Sequence, residues 1–441
     1  MPAANPVPAF YEKSGNPDEA IVKDVFKIRP LFAHSLLERK DRFASIFSQP
    51  LFSPDAHVTQ PRSSESSHLK LAMIKSWLES DVGRSSCAYP APLAIRSPRL
   101  KTHRHFIIVA LVGILAVRHM ALAAPQNTPS LSAFSGVSAR SMRANLRFLA
   151  SDEMRGRDTP SPELDLAAAW IASQFEQAGL EPGVKDSFFQ VATFRDKPVR
   201  NVIGILPGSD PVLKNSYLLV SGHYDHVGVR GTEGDTIYNG ANDNGSSIVA
   251  MIELAKCFAN MKVRPKRTLV FMAFWGEEKG LQGAFYYGKN PVFPLANTVA
   301  MVNMEQLGRT DDTDGPQLSR FAMTGFDFTD LPVTMSEAGR LAGVKVDKRP
   351  QGDPYFMASD NAALAAVGVP AHTISVSYAF PDYHRASDHW DKIDYENMMK
   401  VTRAIGLGVY MLADAKTTPK WNESNPKTKR YVEAWKKLHG G

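Results

Sequence analysis

The sequence predicts an α/β domain, a single globular unit over residues 139–415 whose central, mostly parallel mixed sheet carries helices on both faces. Two observations predict it. Strand-like apolar runs alternate with helical periodicities in one continuous series, without internal repeats. Acidic residues and a histidine stand just after several of those runs, where open α/β sheets gather their functional groups.

The elements follow in order. Residues 138–149 read as a helix with Met142, Leu146, Phe148 and Leu149 as its apolar positions. Residues 152–158 read as a polar loop. Over 164–178, Leu166, Ala167, Trp170, Ile171 and Phe175 recur at helical spacing, and Gly179 fits the cap. Strands are expected at 202–206 and 215–221, separated by a Pro-Gly-Ser-Asp turn. An apolar helix at 246–259 precedes a buried strand at 267–275 and a short strand at 297–303. Helices at 334–342 and 361–367, a strand at 371–377 and a long helix at 395–413 complete the domain. A basic tail occupies 416–441, with a short helix near 431–438.

Composition narrows the function classes. The net charge of +6 resides in the first part of the chain: residues 1–124 hold 16 Lys+Arg and 10 Asp+Glu, leaving 35 of each in the remainder. A neutral domain exerts no long-range pull on polyanions, so nucleic acid is not an expected partner. Only Cys87 and Cys257 are present, so a metal must be held by nitrogen and oxygen ligands.

The leader is unusual. The basic stretch at 101–104, the 12-residue apolar run at 106–117 and Ala121-Leu-Ala123 have the order of a secretory signal peptide. The run is short for a membrane span, which takes about 20 residues. The expectation is that 1–100 is a leader upstream of the true start, 101–123 is the signal-like segment and 124–138 is a linker. The mature, exported protein would begin near Ala124, without stable membrane contact. A cytoplasmic extension with a short buried helix and an uncleaved signal-anchor are the alternatives.

Five candidate metal ligands recur in order. His223 lies in S-G-H-Y-D-H-V-G at 221–228, and Asp243 in G-A-N-D-N-G at 240–245. Glu278 belongs to the pair Glu277-Glu278 in F-W-G-E-E-K-G at 274–280. Glu305 lies in N-M-E-Q-L-G-R at 303–309, and His384 in D-Y-H-R at 382–385. Each has an ordinary structural reading: a turn histidine, an N-cap or Asx turn at Asp243, a solvated loop start, a surface carboxylate, a loop histidine. Together they supply the imidazoles, carboxylates and shared carboxylate that two divalent ions need. Side chains of adjacent residues diverge, so one glutamate of the pair can face a metal while the other faces substrate and water. Asp225, two residues after His223, is placed to orient that ring.

With N-V-I-G-I-L-P-G at 201–208, these stretches make the domain resemble the co-catalytic di-zinc aminopeptidases, the group that includes glutamate carboxypeptidase II and the glutaminyl cyclases. The resemblance implies a zinc-exopeptidase-like fold and two zinc ions, with Mn or Co as substitutes. It makes Asp243 the bridge, Glu278 and His384 the rest of the first site, and His223 and Glu305 the rest of the second. Glu277 becomes the general base toward water and then the proton donor to the leaving amine. It implies peptide substrates and, first of all, aminopeptidase activity. The aminopeptidases usually carry Asp at the place of Glu305, and related carboxypeptidases often carry Glu, so carboxypeptidase or dipeptidase activity is the alternative. Glutaminyl cyclisation is disfavoured because His223 is kept. A non-catalytic binding module is disfavoured because all five ligands and Glu277 are kept. No room exists between Gly208 and Asn215 for a protease-associated insert. Tyr355, Phe356, Tyr378, Phe380 and Tyr383 are near His384 in sequence. Tyr378 and Tyr383 are taken as substrate-binding candidates, Tyr378 as donor to an oxyanion, and Phe356 as core. Ser359-Asp360-Asn361 matches a family stretch near the site.

Overall fold

The computed structural model describes residues 130–441. The leader, the signal-like segment and the first part of the linker lie outside these residues. Helix α1 (Ala139–Leu149) is capped by Ser138, whose side chain accepts from the Ser141 N–H. Helix α2 (Pro162–Ala178) begins under Ser161, which accepts from Leu164 N–H, and ends at Gly179 with φ 87°, a turn that suits glycine.

The strands are β1 (Glu181–Pro182), β2 (Phe189–Phe194), β3 (Lys197–Leu206) and β4 (Tyr217–His223), followed by the small pair β5 (Gly228–Val229) and β6 (Ile237–Tyr238). Helix α3 (Ser246–Ala259) has the bounds its apolar pattern predicts. Next come β7 (Thr268–Phe274), α4 (Gln282–Lys289), β8 (Thr298–Glu305), β9 (Arg320–Met323), α5 (Leu331–Ala342) and β10 (Lys345–Asp347). The series closes with α6 (Asn361–Ala366), β11 (Ala371–Ser375), α7 (Tyr395–Asp414) and α8 (Lys429–Leu438).

The main sheet runs β1-β3-β7-β4-β8-β11-β9-β10, with β2 also on β3. Its centre is parallel: β4 pairs in parallel with β7 and β8, and β8 with β11. The flanks are antiparallel, β3 against β7 and β9 against β11. Successive residues of a strand face opposite sides of a sheet, and the core divides accordingly. Leu218, Val220, Leu269, Phe271 and Val302 pack on one face with residues of α1, α2, α3 and α7. Leu219, Val270, Met272 and Met301 pack on the other with residues of α4, α6 and α8. Covered on both sides, β7 is buried along its whole length, hence its unbroken apolar run.

Two expectations are corrected. Strand β3 starts at Lys197, not 202, because β2 pairs with its first half. The segment expected as a polar loop at 152–158 is a 3₁₀ turn, Asp152–Arg157, and Arg157 is fully buried.

The segment after 415 docks on the second face. Trp421 stacks on Tyr431 with ring centroids 4.9 Å apart and donates from Nε1 to Gly368 O at 2.8 Å. Replacing Trp421 with Ala removes this aromatic payload and strands the Gly368 carbonyl. The expected cost is about 3–5 kcal/mol of unfolding free energy, readable by urea titration. A change below about 1 kcal/mol would mean the segment is not part of the folded unit.

Candidate metal centre

The parallel order β7-β4-β8 sets the site. All three strands point the same way, so their carboxyl ends share one edge of the sheet. His223 is the last residue of β4 and Glu305 the last of β8. Glu277 and Glu278 lie in the turn just after β7, entered through Gly276 with φ 68°. The loop before α3 adds Asp243, and the loop after β11 adds His384.

These residues form two groups that share Asp243. One contains His226, Asp243, Glu278 and His384; the other contains His223, Asp243 and Glu305. In the first, His384 Nε2 is 3.1 Å from Asp243 Oδ2 and 2.9 Å from Glu278 Oε1. In the second, His223 Nε2 is 3.4 Å from Asp243 Oδ1 and 4.0 Å from Glu305 Oε1. All five sequence-predicted ligands are therefore brought together. The side chains of the glutamate pair diverge: Glu278 faces His384, while Glu277 Oε2 sits 3.9 Å from His223 Nε2.

The donor set fits zinc ions. His223 Nε2, both ring nitrogens of His226 and Glu305 Oε2 are buried without a hydrogen-bond partner. Buried polar atoms are rarely left unpaired unless something else engages them. Titration points the same way. Against burial, which lowers it, the His384 pKa is raised to about 10 by Glu278 and Asp243. His223 is likewise raised well above the ordinary imidazole value by Glu277, Asp225 and Asp243, although burial opposes the rise. Burial, with Asp243 and Glu278 nearby, pushes Glu305 up to about 7. The carboxylates of the cluster thus favour positive charge beside them, which cations can supply.

The loop sequences explain how the ligands are held. In G-A-N-D-N-G, both asparagines reach across to the end of β8. Asn242 Oδ1 accepts from the N–H groups of Gly308 and Arg309. Asn244 accepts from Gln306 N–H and donates to Met304 O. Asp388 accepts from the N–H groups of Asn242 and Asp243 at 3.0 Å. Asp243 is thereby tethered to the strand that carries Glu305.

Arg157 ties the opposite side. Its guanidinium donates to four carbonyls, those of Leu149, Tyr224, Asn239 and Gly240, at 2.6 to 3.0 Å. Burial draws its pKa down to about 10. The same residue thus binds the loop after His223 to the loop before Asp243.

Asp225 differs in detail from the expectation. The group nearest His223 Nδ1 is the Asp225 main-chain carbonyl at 3.1 Å, with the carboxylate at 3.6 Å. That carboxylate is engaged elsewhere, accepting from Glu277 N–H at 3.1 Å and from Thr159 Oγ1 at 3.0 Å. Asp225 therefore positions the backbone of Glu277 as well as the ring of His223.

Around His384 the aromatic residues separate. Tyr383 stacks on the His384 ring at 4.0 Å. The Tyr378 ring lies between Tyr355, 5.1 Å away, and the Arg349 guanidinium, 5.2 Å away. The Tyr378 hydroxyl oxygen is buried without a hydrogen-bond partner. Phe356 is core, as expected, and Phe380 is buried against Tyr383. In the Ser359-Asp360-Asn361 stretch, Ser359 accepts from Asn303, and burial raises the Asp360 carboxyl to about 8.

Sequence reasoning missed His226, Arg157 and Asp388. His226 had a local signal, a second histidine three residues after the first. The other two act through contacts distant in sequence.

A mixed α/β sheet with a shared-carboxylate cluster on the edge of its parallel centre is the arrangement of a metallohydrolase scaffold. Residues 201–408 match the model of Peptidase family M28. Among curated relatives, a "Probable zinc metalloprotease" of Pyrenophora tritici-repentis is 28% identical over 274 residues, 58% of this chain and 61% of the relative. One from Pyricularia oryzae is 32% identical over 53% of this chain and 47% of the relative. The chain thus spans about half to three-fifths of the length of these relatives. Among solved structures, the LapA aminopeptidase of Legionella pneumophila aligns with a TM-score of 0.52 at 20% identity, covering 64% of this chain and 74% of that one. The aminopeptidase from Aneurinibacillus sp. strain AM-1 aligns at 0.50 and 17% identity, over 65% and 96%. At such identities these structures speak to the fold alone.

Proposed function

We propose that this protein is an exported two-zinc exopeptidase that removes residues from peptide N-termini. The observation that carries the reading is the pair of ligand groups sharing Asp243, with the non-ligand carboxylate of Glu277 at their side. When bound, zinc ions polarise a scissile carbonyl and lower the pKa of water. In this reading His223, Asp243, Glu278, Glu305 and His384 hold the two ions. Glu277 accepts a proton from the attacking water and returns it to the leaving amine as the C–N bond breaks. Asp225, through the Glu277 N–H, keeps that carboxylate in place.

Tyr378 supplies a further contribution. Its buried, unpartnered hydroxyl is free to donate to the oxyanion that forms as water adds to the carbonyl. Tyr378→Phe should lower kcat by about 10²-fold with little change in KM. Unchanged kcat would remove Tyr378 from the mechanism.

The test is a metal assay followed by a substrate panel on the full-length chain. Chelator-sensitive release from free N-termini, with N-blocked peptides untouched, is expected. C-terminal release from N-blocked peptides would move the protein to the carboxypeptidase side and make Glu305 the discriminating residue. Hydrolysis indifferent to chelator would reject the metallopeptidase reading. Export is supported by the signal-like order of residues 101–123. N-terminal sequencing of the secreted protein should begin near Ala124; a start within the first 100 residues would oppose it.

A further inference from the structure

His226 lies three residues after His223, and its imidazole is fully buried. Its Nδ1 is 3.2 Å from Glu278 Oε1 and 3.9 Å from Asp243 Oδ2. Even so, neither ring nitrogen makes a hydrogen bond. An imidazole buried at ion-pair distance from one carboxylate and near a second, with no well-aligned hydrogen bond at either ring nitrogen, is costly to leave so. The arrangement is understandable when the three donor atoms face a common cation rather than one another.

The spacing supports this. Zinc bonds of about 2.0–2.1 Å in a tetrahedron place neighbouring ligand atoms about 3.3 Å apart. The separations of 3.2, 3.1 and 2.9 Å among His226, Glu278, His384 and Asp243 are close to that edge, and all four donor atoms lie within 4.8 Å of one another. The backbone makes room for the ring. At Gly240, φ is +61° and a Cβ would come within 2.4 Å of His226 Cγ. The His226 N–H donates to Arg157 O at 3.3 Å, which fixes the ring's point of departure.

We propose that His226, through Nδ1, is a fourth protein ligand of the first zinc ion. The proposal rests on the two-zinc reading above. It makes the centre unsymmetrical. His226, Asp243, Glu278 and His384 close the first site, whereas His223, Asp243 and Glu305 leave a position open at the second. Closed four-ligand sites retain their ion, and three-ligand sites admit water or substrate. With four protein ligands at the first site and three at the second, the first ion would be the more tightly bound.

The test uses the full-length chain, freed of metal and labelled with ¹⁵N in its histidine rings, titrated with zinc. Three rings should become metal-bound, one through Nδ1 and two through Nε2. In His226→Gln the Nδ1-bound signal should vanish and the tighter zinc step should weaken at least tenfold. Two metal-bound rings in the unaltered protein, both through Nε2, would overturn the role of His226 and leave the two-zinc reading standing. No metal-bound ring would overturn both. Because the ring count is made on the unaltered chain, the proposal stays testable if the variant fails to fold.

Discussion

Glu277→Gln is expected to abolish peptide hydrolysis while leaving zinc bound. Glu277 belongs to neither ligand group, and its Oε2 stands 3.9 Å from His223 Nε2. The substitution keeps the size and polarity of the side chain but removes its ability to take a proton. General acid–base groups contribute about 10²–10⁴-fold, so kcat should fall by that factor. The backbone should stay in place, because the Glu277 N–H remains bonded to the Asp225 carboxylate. The informative comparison is zinc content beside kcat in the same preparation. Normal hydrolysis would remove Glu277 from the chemistry. Loss of zinc together with activity would make it a ligand instead.

Asp243→Asn should act on the metals first. Asp243 is the one residue common to both ligand groups. An amide offers a neutral oxygen in place of the charged bridge, so bound zinc should fall from two ions to one or none and kcat/KM by more than about 10³-fold. Folding should be largely preserved. The loop is held by Asn242, Asn244 and Asp388 through bonds that do not involve the Asp243 side chain. Thermal unfolding of the metal-free variant should therefore resemble that of the metal-free parent. Two tightly bound ions and activity within tenfold of the parent would show that Asp243 does not bridge.

The contrast between those ligands and Arg157 shows what was legible in the sequence. The ligands could be read because each follows an apolar strand or occupies a Gly/Asn loop, and their residue types suit a metal. Helix α3 could be read because its apolar stretch is long and uninterrupted. Strands β9 and β10 have four and three residues and lie at the sheet's far edge, where too few positions exist to show alternation. Strand β2 is half exposed on its outer edge, so its pattern is mixed. Arg157 sits in a charged stretch that looks solvated. Its burial depends on carbonyls 67 to 83 residues away, which no local periodicity reports. Asp388 reaches Asp243 across 145 residues in the same way. His226 carried a signal, but as a second histidine beside a better-motivated one it drew no assignment from the sequence.

The span of the centre along the chain has a consequence for synthesis. Its parts run from His223 to His384, and the Trp421–Tyr431 stack docks still later. A polypeptide emerging from the ribosome lacks the first ligand set until residue 384 has left the exit tunnel, and lacks part of its second core until the final helix follows. The complete first ligand group is therefore among the last features the chain acquires, and metal held by all of its residues must await nearly the whole of synthesis.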